Sequence, residues 1–430
     1  MEEMFDTARD SEAGRLWSRR ICLIAIFLTA FGFRTCVVLR APTTPVADAA
    51  LYHRLATGLA QGRGYVNTEG QKTAWAPPAY PAFLSIIYRV AGPNVTFATI
   101  VQAVLGALAV LALVMFAGLV IGWREGIIAG FIAAVYPGLV WLPRLLLSEN
   151  LSLLLLLLTL CAVALYLRTN HIWWMAMFGL LSGMNTLVRG GNLFVFFLLA
   201  AGILITAFRQ RSPDSRPRRV APLLIAGSTF CLVLAPWSIR NYHTFGRFVP
   251  IATQEGLTLY ASYWPPVKNG RLIWGTLPGP EDPTVAAAAN LGDEASASKY
   301  FRSVTLQRLR AQPGYFFRVI PSKMISLLVP LDWEILPHAA GSSRSLNVGY
   351  LLILLPSVFG FLLLLRKPQP NRWLLWMVPI TVLIQTIFFY GSPRFRLPAE
   401  PIAILLAAVS LSHFVRSRTG FLKTRPPLLG

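Results

Sequence analysis

Asp48 opens a polar stretch between two long apolar ones, and a carboxylate so placed can take a proton from a hydroxyl. It starts the segment DAALYHRLATGLA, in which Asp48, Tyr52, Leu55 and Leu59 recur at helical spacing and so share one face. Gly62 and Gly64 then stop the helix, and a stiff WAPPAYP segment precedes the next apolar run. Residues 40–93 therefore read as an amphipathic cap lying on a membrane, with an acid on one of its faces. Asp48 is also well placed to cap the helix it begins, since aspartate is a favoured N-cap.

Other ionisable residues sit at the ends of apolar runs, where an unpaired charge is costly and points to function. Glu149 lies in LLLSENLSLLLL, Arg189 in VRGGN and Arg240 in APWSIRNYHTFG. Arg394, Arg396 and Glu400 fall in GSPRFRLPAEP. Each has a structural alternative: Glu149 can stabilise a helix dipole, and Arg394 and Arg396 can anchor to lipid headgroups. Taken together they describe a task. Arginines bind phosphate in a planar, bidentate way. A lipid phosphate leaves as a stable anion and needs no acid, only positive charge. That charge comes from arginine or from a divalent cation, Mg or Mn, on carboxylate oxygens. The remaining requirement is a base for an acceptor hydroxyl. Transfer of a sugar from a polyprenyl-phosphate carrier has these needs, with Asp48 as base and Tyr52, Arg240, Arg394 and Arg396 as substrate contacts.

The remaining candidates are weaker. His53 lies off the Asp48 face, and His243 and His338 lack ligand spacing. Cys22, Cys36, Cys161 and Cys231 sit singly within apolar runs and read as buried helix residues. Trp75, Tyr80, Trp237 and Trp264 read as an interfacial aromatic belt.

The elements that must position these groups are membrane helices. Hydrophobic residues are 55% of the 430 and charged ones 13%, against roughly 25% charged in soluble domains. Mean hydropathy is +0.56. The net charge of +21 comes without basic runs interleaved with aromatics, which argues for lipid headgroups and topology signals and against nucleic acid. The expected class is all-α: about ten transmembrane helices with amphipathic helices at the outer face.

Expected spans cover 21–39, 95–121, 126–142, 148–167, 172–188, 192–208, 220–238, 347–365, 373–390 and 397–415. Residues 1–18 read as a loose cytoplasmic tail, followed by an uncleaved signal-anchor. Residues 19–238 form the core with its outer loop 40–93, and 239–346 an extracytoplasmic segment. Residues 347–415 hold the last spans and 416–430 a cytoplasmic tail. The arginine-dense loop 209–219 falls inside on this count, as the positive-inside rule asks. Arg34, near the far end of the first run, reads as a snorkelling side chain. The stretch from Tyr315 to Leu328 carries Arg318 and Lys323 and is broken by Pro321, so it reads as interfacial rather than spanning. No internal repeat is visible. Chemistry is therefore expected at the outer face of the cytoplasmic membrane.

At these residues the chain resembles the GT-C superfamily of membrane glycosyltransferases, in particular the group of protein O-mannosyltransferases and lipid A aminoarabinose transferases (glycosyltransferase family 39-like). The matching pieces are D-A-x-x-Y (Asp48 to Tyr52), G-x-G-Y (Gly62 to Tyr65) and A-P-P-A-Y-P-x-F-L (Ala76 to Leu84). S-E-N (Ser148 to Asn150), P-W-x-x-R-N (Pro236 to Asn241) and R-F-R-L-P-x-E-P (Arg394 to Pro401) follow in order. The resemblance implies an acidic base in the first outer loop, a role that falls on Asp48. It implies a second acid at the span junction, Glu149, which would position substrate or hold a metal. The family's frequent aspartate-containing pair is absent, because Ala49 follows Asp48; metal dependence and sugar identity are thereby open. The extra soluble domains of protein O-mannosyltransferases are not found, so a protein acceptor is less favoured than a glycan or lipid. The expectation is an inverting transferase using a polyprenyl-phosphate sugar. The alternative is a non-enzymatic polytopic transporter or lipid flippase, which predicts inverted repeats and broken helices at mid-membrane.

Overall fold

The computed structural model describes residues 2–209, 216–264, 267–268, 271–272, 277–330, 347–366, 369 and 371–423. Nearly all regular structure is helical, as the composition requires of a chain whose backbone must satisfy itself in lipid. The exception is a two-residue antiparallel ladder, Val267–Lys268 against Arg271–Leu272. Among the described residues seven helices are long and apolar enough to cross a membrane: Leu16–Arg40, Val95–Val120, Glu149–Thr169, Gly190–Arg209, Val220–Phe245, Val348–Leu365 and Pro393–Ser417. An eighth span is a bent pair, Trp123–Val135 and Pro137–Arg144, angled at 57°.

Ten spans were expected, and the other two are the short helices at 172–188 and 373–390. The runs at 172–188 and 373–390 fold as Trp173–Val188 and Leu374–Phe388, of 16 and 15 residues. At about 1.5 Å per residue they are shorter than the ~30 Å hydrocarbon core. Each nevertheless runs from one end of the bundle to the other: Trp173–Val188 starts just beyond Thr169 and ends at Arg189, which meets Glu149, and Leu374–Phe388 starts beyond Leu365 and ends ahead of Arg394. Trp173–Val188 lies between Glu149–Thr169 and Arg216–Phe245, and the last helix closes the bundle against Trp123–Val135. Glycine sets the closest crossings: a Cβ at Gly179 would lie 2.1 Å from the Ala226 carbonyl oxygen, and one at Gly360 1.9 Å from that of Leu406.

Three local expectations change. Residues 2–18 continue the first helix, Glu2–Arg40, rather than forming a loose tail. Pro321 does not break its stretch; Pro313–Leu328 is one helix with Val319, Lys323 and Leu327 buried along one face. Arg34 does not snorkel. It is 1% exposed, and donates to the carbonyls of Ala30 at 3.0 Å, Ala134 at 3.2 Å and Ala133 at 3.3 Å. The last two are orphaned carbonyls where the bent helix stops before Pro137, so a cation sits at the negative end of a helix dipole.

At one end of the bundle the segment after Phe245 folds over the first loop. Its helices Gln254–Ala261, Pro283–Ala289, Glu294–Ala311 and Pro313–Leu328 include two capped by aspartate, Asp282 and Asp293. The Thr253 amide donates to the Ala74 carbonyl at 2.9 Å. Glu294 accepts from the Thr73 hydroxyl at 2.8 Å and from the Ala74 amide. The opposite end carries Arg19 over the Trp123 ring and the Arg416–Glu125 pair.

Candidate active site

The helix Asp48–Ala60 buries Tyr52 and Leu55 beneath Asp48, as its spacing predicts. Tyr52 packs edge-on against Tyr80 with ring centroids 4.9 Å apart. The Tyr80 hydroxyl donates to Gln102, whose amide donates to the Pro143 and Leu145 carbonyls. The first loop is thus tied to the junction ahead of Glu149. Asp48 does not cap its own helix. The N-cap is Ala47, at φ 48° and ψ −123°, with no side-chain capping bond. A non-glycine residue there is strained by about 1–3 kcal/mol, and the Asp48 carboxylate is directed elsewhere.

It meets Arg394. The guanidinium NH1 of Arg394 lies 2.7 Å from Asp48 Oδ2, while its Nε donates to Glu149 Oε1. The same Glu149 oxygen accepts from Arg189 NH1 at 2.7 Å. Arg189 also reaches the Ser148 hydroxyl at 3.4 Å and lies over the Phe395 ring. Four charges from the first loop, a span N-terminus, a helix C-cap and a late 3-10 turn (Pro393–Ala399) therefore form one chain. Two acids and two arginines balance. They are not equivalent, because the Glu149 side chain is 3% exposed and that of Asp48 43%. Glu149 is the buried anchor and Asp48 is the open end. Burial, followed by the charges of Asp48 and Glu149, pushes the Tyr52 phenol up to about 12, so it stays neutral at any physiological pH.

Two expected substrate contacts are placed away from these carboxylates. Arg240 donates to the carbonyls of Thr73 at 2.7 Å and Tyr65 at 3.2 Å and lies over the Trp237 ring. Arg396 pairs with Glu400 at 3.0 Å, donates to the Val329 carbonyl at 2.6 Å and lies 3.8 Å over the Tyr350 ring. Arg240 fixes the first loop, and Arg396 holds the end of Pro313–Leu328 against the last span. Arg189, which had no assigned role, joins Glu149 instead. Its signal was a charge directly after an apolar run, followed by Gly190 and Gly191. Glu255 carried no signal at all. Its carboxylate comes within 3.3 Å of where a Gly190 Cβ would stand, and burial raises its pKa.

A metal fits this arrangement poorly. One oxygen of Glu149 is taken by two guanidinium groups, and Arg394 stands between the two acids where a shared cation would. Among the described residues no three His, Cys, Asp or Glu side chains group to hold an ion.

Known structures share the architecture. The Archaeoglobus fulgidus oligosaccharyltransferase AglB, solved with an inhibitory peptide and a dolichol-phosphate, superposes over 96% of this chain at a TM-score of 0.53 and 13% identity. The same archaeon's enzyme with Zn and sulfate superposes over 92% at a TM-score of 0.55 and 15% identity. The chain has the GT-C fold. It spans about half the length of those enzymes, 53% and 50%. Residues 76–239 match the family described as dolichyl-phosphate-mannose-protein mannosyltransferase. ArnT from Cupriavidus metallidurans bound to undecaprenyl phosphate aligns over 94% of the chain and 78% of its own, at 14% identity and a TM-score of 0.41. No curated protein matches.

Proposed function

We propose that the chain is a membrane glycosyltransferase that moves a sugar from a polyprenyl-phosphate carrier to an acceptor hydroxyl, with inversion. One observation carries this reading: Arg394 joins Asp48 to Glu149, so the acids of the first loop and the span junction meet the late basic motif at one point. Asp48 takes the acceptor's proton, and the acceptor oxygen attacks the anomeric carbon from the face opposite the phosphate. The bond from that carbon to the phosphate oxygen breaks, and the carrier phosphate departs with the electron pair. Arg394 and Arg189 supply the positive charge it needs. Glu149 holds both arginines in place. Arg240 and Arg396 shape the walls, and Tyr52 lines the floor. No step is routed through a metal.

The dolichol-phosphate held by the archaeal oligosaccharyltransferase is in keeping with such a donor. The acceptor is a glycan, lipid or protein hydroxyl, reached beneath the segment 239–330, which also excludes water. The site lies at the end of the bundle opposite Arg19 and Arg416. Arginine-rich ends stay in the cytoplasm, which supports chemistry at the outer face of the cytoplasmic membrane.

The test is incubation of the purified chain with a radiolabelled polyprenyl-phosphate sugar and candidate acceptors. Asp48→Asn keeps the shape but removes the base, and transfer should fall by about 10²–10⁴-fold with folded protein unchanged. An Asp48→Asn variant as active as the parent would refute the assignment.

A further inference from the structure

Arg394 hangs from the C-terminal end of Leu374–Phe388, by the short linker 389–392. The last carbonyls of a helix have no partner within it, and whatever donates to them fixes where the chain goes next. Here the donors come from the outer segment. The Tyr263 hydroxyl donates to the Phe388 carbonyl at 3.1 Å, and Lys323 Nζ to that of Ile387 at 3.2 Å. A cation at this end of a helix also meets the negative pole of its dipole. Lys323 Nζ stands 4.0 Å over the Tyr263 ring, so the two donors form one unit. Both residues are buried.

The linker itself is gripped. A Cβ on Gly391 would stand 1.9 Å from the Lys323 carbonyl oxygen, so backbone lies against backbone where only glycine fits. The Phe316 ring packs on Phe388 with centroids 6.1 Å apart. Beyond Arg394, Arg396 donates to the Val329 carbonyl and closes the same outer helix onto the turn. Pro313–Leu328 and the end of Gln254–Ala261 thus hold the mount of the guanidinium that joins Asp48 to Glu149.

We propose that Tyr263 and Lys323 are positioning residues for the transfer: through the Ile387 and Phe388 carbonyls they set where the Arg394 guanidinium stands. The inference rests on the glycosyl transfer proposed above. It makes the segment that covers the acceptor also the one that aims positive charge at the leaving phosphate. A shift of about 1 Å in such a group can cost about a hundredfold in rate.

The experiment is transfer from a radiolabelled polyprenyl-phosphate sugar by the full chain in detergent. Tyr263→Phe deletes one hydroxyl and keeps the ring. It should lower kcat by about tenfold or more and leave the donor KM within about twofold, since the misplaced charge acts in the transition state. In an Arg394→Lys background the same change should cost less than about twofold, because both act through one guanidinium. Lys323→Met at pH 6 should lose rate while gaining Tm, as it removes a buried charge; a merely structural role would move the two together. Amide hydrogen exchange across 389–394 should be faster in Tyr263→Phe, a readout independent of activity. Parental kcat in Tyr263→Phe, its full loss repeated on Arg394→Lys, or unchanged exchange would overturn the positioning and leave the transferase reading standing. A parent chain that transfers from no such donor would overturn that reading, and the inference with it.

Discussion

Arg394 is the residue on which the site turns, because one guanidinium touches both acids. Lysine is not a substitute: a point charge cannot hold two carboxylates in the geometry of a planar fork. Arg394→Lys should therefore lower kcat/KM by about a hundredfold or more, since lost charge stabilisation of a leaving group costs on the order of 3 kcal/mol. Single-turnover transfer assays would measure it, and near-parental turnover would remove Arg394 from the chemistry. Two residues on, Arg396 does something else. The sequence alone could not separate them. A 3-10 turn rotates successive residues by about 120°, so i and i+2 face different neighbours, and only the turn's existence reveals which arginine faces Asp48. Asp48, Glu149 and Arg394 were legible because each is a charge in an apolar setting. The pairing of Arg189 with Glu149 was not, since it depends on how two helix ends meet.

Elements place these charges, and the outer segment is the one most open to test. Glu294 ties it to the first loop through Thr73 and Ala74. Glu294→Ala should weaken that docking by roughly 1–3 kcal/mol, seen as faster limited proteolysis within residues 239–330; unchanged cleavage would assign the docking to other contacts. Pro313–Leu328 carries a second test. Lys323 is 0% exposed, donates to the Ile387 carbonyl at 3.2 Å and lies over the Tyr263 ring, and burial pulls its pKa down to about 7. Above pH 7 the folded amine is neutral while the unfolded one stays protonated to about 10.4. The unfolded state then binds more protons, so stability rises with pH through that window. Below pH 7 both are charged and the burial cost is felt in full. Lys323→Met should thus be more stable than the parent at pH 6, with the Tm gap closing toward pH 10. A gap that does not vary with pH would contradict the shift. The helical pattern was readable here, but Pro321 misled: a proline in the interior of a helix reads as a break, whereas packing of Val319, Lys323 and Leu327 carries this helix through it.

At the scale of the whole molecule, the bundle gathers its arginine-rich ends on one side and the mixed-charge cluster on the other. The all-α membrane class followed from composition and run length. The lengths of the individual helices did not, because a hydropathy run does not fix where a helix ends. If the cluster supplies its own positive charge, transfer should persist in excess EDTA and respond little to added Mg²⁺ or Mn²⁺. Loss on chelation and recovery with one metal would assign that charge to a cation instead. Arg34 has a consequence of another kind. Its carbonyl partners at Ala133 and Ala134 follow it by about a hundred residues of chain. During synthesis the opening segment must therefore reach the bilayer carrying a guanidinium whose counterparts have yet to leave the ribosome. Its anchorage matures only when the kinked pair arrives, so nascent chains cut short at residue 120 should wash from membranes more readily than chains extended to 150.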